Sequence, residues 1–211
     1  MFQIAISNKS TVVTEDAFNQ AIMAARVQIS RDFSPAWGLT ANLYVPRPGG
    51  IPMTGWELCV VDSKEQADSL GLTNSLRRRP MYLVYADTAE YWTVSFSHQI
   101  LELLADPYCN TSIQVEPGKF SGLEVCDPVA GDDQSYLVHR VRMSNFILPN
   151  WFEAGSLGPW DHAEKLSAPL TLANGGYQSY WTDSGWTQEV SGESPRASRS
   201  YRHQMRVDRI G

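Results

Sequence analysis

The order of strand-like and helical segments in the N-terminal half of this chain constrains its fold more than any other feature. Apolar and polar residues alternate over 2–6, which predicts a short strand. Apolar residues at helical spacing predict an amphipathic helix over 15–32, with Thr14 as its N-cap. Three further strands are predicted at 41–45, 58–61 and 81–85. This order favours an α+β or α/β layer.

The second half combines one strongly apolar helix with a less regular end. A helix is predicted over 93–105 and ends at Asp106-Pro107, because a proline restricts the residue before it. A strand is predicted at 137–141, and the last third is rich in Gly, Trp and Tyr. We therefore expect an α+β fold in which a mixed sheet packs against these two helices, followed by an irregular Gly- and aromatic-rich part. The predicted domain spans 1–194, and a basic tail spans 195–211.

Charge is distributed unevenly along the chain. The formal net charge is −6, yet residues 196–211 contain five arginines and one aspartate, so the rest of the chain is strongly acidic. An acidic body is unsuited to binding nucleic acid by bulk electrostatics. No apolar run is long enough to span a membrane, and the first residues lack the pattern of a signal peptide. We expect a cytoplasmic protein that makes no membrane contact.

The cysteines set a limit on the kind of metal site. Cys59, Cys109 and Cys126 include no CxxC pair, which argues against a zinc ribbon and against a disulfide framework. Free thiols are expected, with a single disulfide as the alternative.

One helical segment carries the chemistry. His98 and Glu102 are four residues apart in the helix predicted over 93–105, so their side chains project from the same face one turn apart. An imidazole and a carboxylate at this spacing can share a divalent ion, which is the geometric basis of the HExxH helix. The alternative is an ordinary hydrogen-bonded pair. Asp106 follows after another four residues, at the end of the helix.

Several longer motifs resemble a zincin-like, neutral-metallopeptidase-type family of bacteria and bacteriophages. The motifs are DFSPAWG at 32–38, SHQILELLADPYCN at 97–110, EVCDPV at 124–129, NFILPNWF at 145–152 and APLTLANGGYQSYW at 168–181. The similarity runs in the same order over residues 3–190. It implies a sheet with an active-site helix that carries the motif Ser-His-Glu-x-x-Glu, followed by an Asp-Pro pair.

The resemblance also implies a set of metal ligands. His98 and Glu102 would be the helix ligands of a zinc ion, and Asp106, Glu124 and Asp127 are candidates for the remaining ligand or its support. Calcium is the alternative ion, because acidic residues greatly outnumber basic ones over 95–135 and calcium prefers oxygen ligands. A third alternative is a chain that holds no metal.

Gln99 departs from the family motif. A zincin has its general-base glutamate directly after the first histidine, and an amide cannot take a proton from zinc-bound water at neutral pH. We therefore expect a catalytically degraded protein, a pseudoenzyme. It would act as a structural or binding component among other protein subunits. The resemblance points to a bacteriophage particle, so the virion is the alternative location to the cytoplasm. The alternative is an active zinc metallopeptidase with a replacement base.

The basic tail is a candidate partner-binding segment. Its arginines are spaced three or four residues apart, so a helix would align them in one stripe, and an unfolded tail would still attract an acidic protein or nucleic acid. The predicted contact residues are Arg196, Arg199, Arg202, Arg206 and Arg209.

Overall fold

The computed structural model of the chain describes residues 1–47, 55–73, 80–86, 91–194, 197 and 200–208. The chain divides into two compact units. The parallel-sheet unit comprises Met1–Pro107 and Leu137–Met143, and the antiparallel-sheet unit comprises Tyr108–Tyr136 and Ser144–Gly211. The predicted boundary at residue 194 coincides with none of these limits.

Strands and helices alternate in the first half of the chain, and strands dominate the second. The strands are β1 (Phe2–Asn8), β2 (Ala41–Tyr44), β3 (Trp56–Val61), β4 (Met81–Tyr85), β5 (Ser112–Glu116), β6 (Lys119–Gly122), β7 (Tyr136–Val138), β8 (Val141–Met143), β9 (Tyr177–Thr182) and β10 (Gly185–Val190). The helices are α1 (Glu15–Val27), α2 (Ser34–Trp37), α3 (Lys64–Ser69), α4 (Trp92–Ala105) and α5 (Tyr201–Val207). The predicted class, α+β with a sheet and helices, is confirmed.

The first unit is built on a parallel sheet of strand order β2-β1-β3-β4. The two central strands supply its core, because strands of a parallel sheet are buried on both faces. Their fully buried side chains include Ile4, Ile6, Leu58, Val60 and Val61. The strands predicted from alternation and from short apolar runs are confirmed here to within a few residues.

The first helical stretch is longer than predicted and irregular. Thr14 caps α1 by accepting a hydrogen bond from the Ala17 amide, as expected. The predicted helix ends at residue 32, but a π-helical turn occupies Gln28–Phe33 and leads directly into α2. Pro35 explains the irregularity, since it has no N–H for the carbonyl one turn earlier and a regular α-helix cannot accommodate it there.

The second unit contains an antiparallel sheet of strand order β10-β9-β6-β5. One mixed sheet was expected, and this detail is wrong, because parallel and antiparallel pairing occur in two separate four-stranded sheets. The aromatic-rich C-terminal part is also more regular than expected, since β9 and β10 form a well-paired hairpin. No helix in the described part of the chain has the length and apolar character needed to cross a bilayer.

The strand predicted at 137–141 is wrong in its extent. The structure places a tight turn at His139 and Arg140, between β7 and β8. Their φ angles are 48° and 70°, and both residues are exposed. Positive φ at both central residues is what a type I′ hairpin turn requires, and glycine or asparagine normally supplies it. The sequence has neither residue here, so its turn signal was absent.

We expect the double substitution His139→Asn and Arg140→Gly to stabilise the protein. Asparagine and glycine adopt positive φ at lower cost than histidine and arginine, so the free energy of unfolding should rise by about 0.5–1 kcal/mol. Chemical denaturation measures it. The control is His139→Ala with Arg140→Ala, which removes both side chains without relieving the backbone, and it should give no gain. An Asn-Gly variant no more stable than the natural chain would contradict the assignment of this turn.

Candidate metal site and the buried arginine cluster

Helix α4 is the helix predicted over 93–105, and it is buried on more than one face. The predicted apolar face is confirmed, with Phe96, Ile100, Leu103 and Leu104 almost fully buried. The helix packs within its unit against β4 and β8. Polar side chains of α4 are buried as well, which is unusual for a helix of a small domain and marks them as candidate functional residues.

His98 and Glu102 are the buried polar pair of α4. They lie one helical turn apart, and their exposed fractions are 3% and 0%. Gln99, which directly follows His98, is half-buried. Asp106 caps the helix, is 1% exposed, and its amide donates to the Glu102 carbonyl at 2.9 Å. The structure therefore gives the pair the spacing that the sequence predicted.

Asp127 occupies a different setting, in the antiparallel-sheet unit. It begins a 3₁₀ turn, Asp127–Val129, and is 1% exposed. The carbonyl of Pro128 accepts a hydrogen bond from the Ala173 amide at 2.9 Å. Gly176 lies so close to this carbonyl that any side chain at 176 would collide with it. The turn that carries Asp127 is thus fixed by contacts to the segment before β9.

These side chains are of the kinds that bind metal ions. His98, Glu102 and Asp127 are buried, and each offers one ligand atom, an imidazole nitrogen or a carboxylate oxygen. A His/Glu/Asp set of this kind could hold a metal ion, and its chemistry does not by itself identify the ion.

Glu124, also a predicted ligand, has two arginine partners instead. Its Oε2 accepts from Nε of Arg202, and its Oε1 accepts from Nε of Arg206 at 2.8 Å. The side chains of the three residues are 0%, 4% and 1% exposed. Both carboxylate oxygens are therefore engaged by guanidinium groups, and we leave Glu124 out of the proposed ligand set.

The charge of Glu124 is stabilised by this pairing. Burial alone would raise the pKa of the carboxyl group, but the charges of Arg202 and Arg206 and their hydrogen bonds outweigh it. The pKa of Glu124 is lowered from its ordinary 4.5 to about 2. The carboxyl group of Glu124 is therefore ionised at neutral pH and remains so well below pH 4.5.

The same contacts correct the prediction of an exposed arginine stripe. Arg202 and Arg206 belong to α5 but are only 3% and 2% exposed. Both arginines form ion pairs with Glu124 inside the chain, so their guanidinium groups bind this carboxylate rather than an external partner. The other predicted contact residues, Arg196, Arg199 and Arg209, lie outside the described residues.

The cysteines and His162 lie in packed surroundings that suit a structural role. All three cysteines are buried, and none takes part in a disulfide, as expected. His162 stacks on Phe146 with ring centroids 5.0 Å apart, and Asp161 beside it accepts a hydrogen bond from Asn145 at 2.6 Å.

Sequence reasoning missed the Glu124–arginine cluster. The four-residue spacing of Arg202 and Arg206 was its only local signal, and their partner lies 78 and 82 residues away.

Comparison with known proteins adds no relative. No protein-family model, curated protein or solved structure matches this chain.

The buried cluster predicts a specific pH dependence of stability. The pKa of Glu124 is lower in the folded chain than its ordinary value, so its contribution to stability is complete above about pH 4.5. That contribution should disappear progressively as the pH falls from about 4.5 toward 2. Denaturant unfolding across this pH range measures it.

Substitutions separate the cluster from the other acidic groups. Glu124→Gln leaves two buried guanidinium charges without a counter-charge and should cost about 3–5 kcal/mol. Replacing Glu124, Arg202 and Arg206 together by Met should cost much less and should weaken the pH dependence. Lys119→Met is the control, since it breaks an exposed 3.0 Å pair with Glu189 in the same sheet and should cost under about 1 kcal/mol. A Glu124→Gln variant as stable as this control would contradict the account.

Proposed function

We propose that this chain is a catalytically inactive, zincin-like protein that binds a divalent metal ion and serves a structural or binding role. The observation that carries the proposal is the composition of one turn of α4. It presents a buried histidine and a buried glutamate at ligand spacing, with an amide, Gln99, in the position of the catalytic base.

The donor set favours zinc. Zinc accepts imidazole nitrogen together with carboxylate oxygen, and four ligands satisfy it in a structural site. Calcium needs six to eight oxygen ligands, and an imidazole is a poor substitute for one of them. We propose His98 and Glu102 as the pair from α4 and Asp127 as a further ligand, as the EVCDPV motif predicts. Asp106 remains a candidate for the fourth ligand position or for the support of the other ligands.

Burial supports a structural role for the ion. Structural zinc sites are closed by protein ligands, whereas catalytic sites keep one position for water or substrate. His98 is 3% exposed, and both carboxylates of the proposed set are buried to the same degree or more. A bound zinc ion would supply two positive charges where carboxylates are removed from water.

Gln99 supports the loss of peptidase activity. Peptide hydrolysis at zinc requires a group that takes a proton from the attacking water and passes it to the leaving nitrogen. The glutamine amide has no pKa suited to this transfer, and losing a general base costs on the order of 10² to 10⁴ in rate. His98 and Glu102 can keep the metal without that group.

The setting of the protein follows from the resemblance described above. Members of the family occur in bacteriophages, and we propose a role as a component of such a particle, in contact with other protein subunits. The strongly acidic body of the chain supports protein partners over nucleic acid as its main contact.

Metal analysis is the direct test. We expect the purified chain, loaded with zinc and dialysed, to retain about one zinc ion per molecule. His98→Ala, Glu102→Gln and Asp127→Asn should each lower zinc affinity at least about tenfold, because each removes a ligand. Elemental analysis and competition with a chelating dye measure the content and the affinity.

His139→Ala is the matched control for adventitious binding to histidine. His139 lies in the exposed β7–β8 turn, and its removal should leave zinc binding unchanged. A natural chain that retains no zinc would refute the metal site. If the natural chain cleaves a peptide library and His98→Ala abolishes the cleavage, the proposal of a catalytically inactive chain is refuted and an active metallopeptidase is favoured.

Gln99→Glu tests why the chain is inactive. The substitution restores the acid at the general-base position, so the zinc-loaded variant should gain measurable peptidase activity over the natural chain. The assay compares both proteins, and Gln99→Ala is the control for a change of size without a carboxylate. If Gln99→Glu binds zinc and cleaves nothing, the loss of activity has another cause.

A further inference from the structure

Helix α5 depends on its contacts with the antiparallel sheet. It has seven residues, which is too short for a stable isolated helix. Ser200 caps it by accepting a hydrogen bond from the His203 amide at 3.2 Å. His203 also forms a 2.9 Å hydrogen bond with the Ser179 hydroxyl on β9. The helix is therefore held by side chains directed at the sheet.

Arg206 is the most closely fitted of these side chains. Its Nη1 donates to the Thr111 carbonyl at 2.9 Å, and the same carbonyl accepts the Leu123 amide at 3.0 Å. A Cβ at Gly122 would lie 2.8 Å from its Nε, so the guanidinium rests against the backbone at the end of β6. Together with its bond to Glu124, this arginine links α5 to the start of β5 and to the end of β6.

The segment that Arg206 holds leads directly to Asp127. Glu124 precedes Asp127 by three residues, and the carbonyl between them at Val125 accepts the Ile147 amide at 2.7 Å. His203 of α5 experiences the charges of both Glu124 and Asp127, although burial dominates and lowers its pKa. Asp127 therefore lies within the electrostatic reach of α5, as Glu124 does.

We infer that α5 is a positioning device for the metal site, in which Arg202 and Arg206 fix the Glu124–Asp127 segment and so orient the carboxylate of Asp127. The inference rests on the proposed function for its consequence in metal binding. Ligating carboxylates are commonly oriented by neighbouring groups, and losing such a group typically weakens metal binding 10- to 100-fold. The basic C-terminal region would then act on the site from within the chain.

Hydrogen exchange tests the positioning without metal. In the full-length chain, Arg206→Met and Ser200→Ala should each increase amide exchange over 123–131, by about tenfold or more for the first and severalfold for the second. Ser200→Ala weakens α5 without touching the buried charges, so it remains informative if Arg206→Met unfolds. Arg206→Lys, which keeps the charge, should restore part of the protection, and Lys119→Met should change nothing.

Zinc affinity tests the consequence. Arg206→Met should weaken zinc binding about 10- to 100-fold. Combined with Asp127→Asn, it should weaken binding little beyond Asp127→Asn alone, because it acts through that carboxylate. Additive losses would show that Arg206 does not act through Asp127 and would overturn the inference.

The two proposals fail in different ways. If the natural chain retains no zinc, the proposed function is wrong, and exchange over 123–131 alone decides the positioning role. If zinc binds but Arg206→Met and Ser200→Ala leave both the affinity and the exchange over 123–131 unchanged, the positioning role is wrong and the metal site stands.

Discussion

The buried carboxylate of Glu124 is the constraint around which the antiparallel-sheet unit is arranged. A charge removed from water must be compensated, and here two guanidinium groups of α5 do so. The C-terminal helix α5, the start of β5 and the end of β6 are consequently tied to one ionic cluster. A short helix that could not exist alone becomes part of the unit, because breaking the cluster would leave a charge buried and uncompensated.

The elements that local pattern determines could be predicted from the sequence. Helix α4 and the four strands of the parallel sheet follow from apolar spacing, and the one-turn separation of His98 and Glu102 follows from helix geometry. The partners of Glu124 could not be predicted, since they lie about 80 residues further along the chain. The turn at His139 and Arg140 could not be predicted either, because its residues are not those that normally take positive φ.

In the proposed function, the candidate site combines a metal-ligand pair with a replaced general base. His98 and Glu102 have the spacing and the burial that the proposed metal ion needs, while Gln99 stands where the resemblance places the group that hydrolysis needs. Such a combination suits an ion that stabilises a structure rather than one that activates water. Arg202 and Arg206, two of the arginines that the sequence suggested as a surface for partners, are instead buried, and both pair with Glu124.

X-ray absorption spectroscopy of the zinc-loaded protein tests the central claim most directly, because it reports the ligand atoms of the ion itself. We predict a coordination sphere of nitrogen and oxygen only, at about 2.0–2.2 Å, with the outer scattering of an imidazole that is lost in His98→Ala. A sulfur ligand at about 2.3 Å, as Cys126 would supply, or a spectrum that His98→Ala leaves unchanged would contradict the claim.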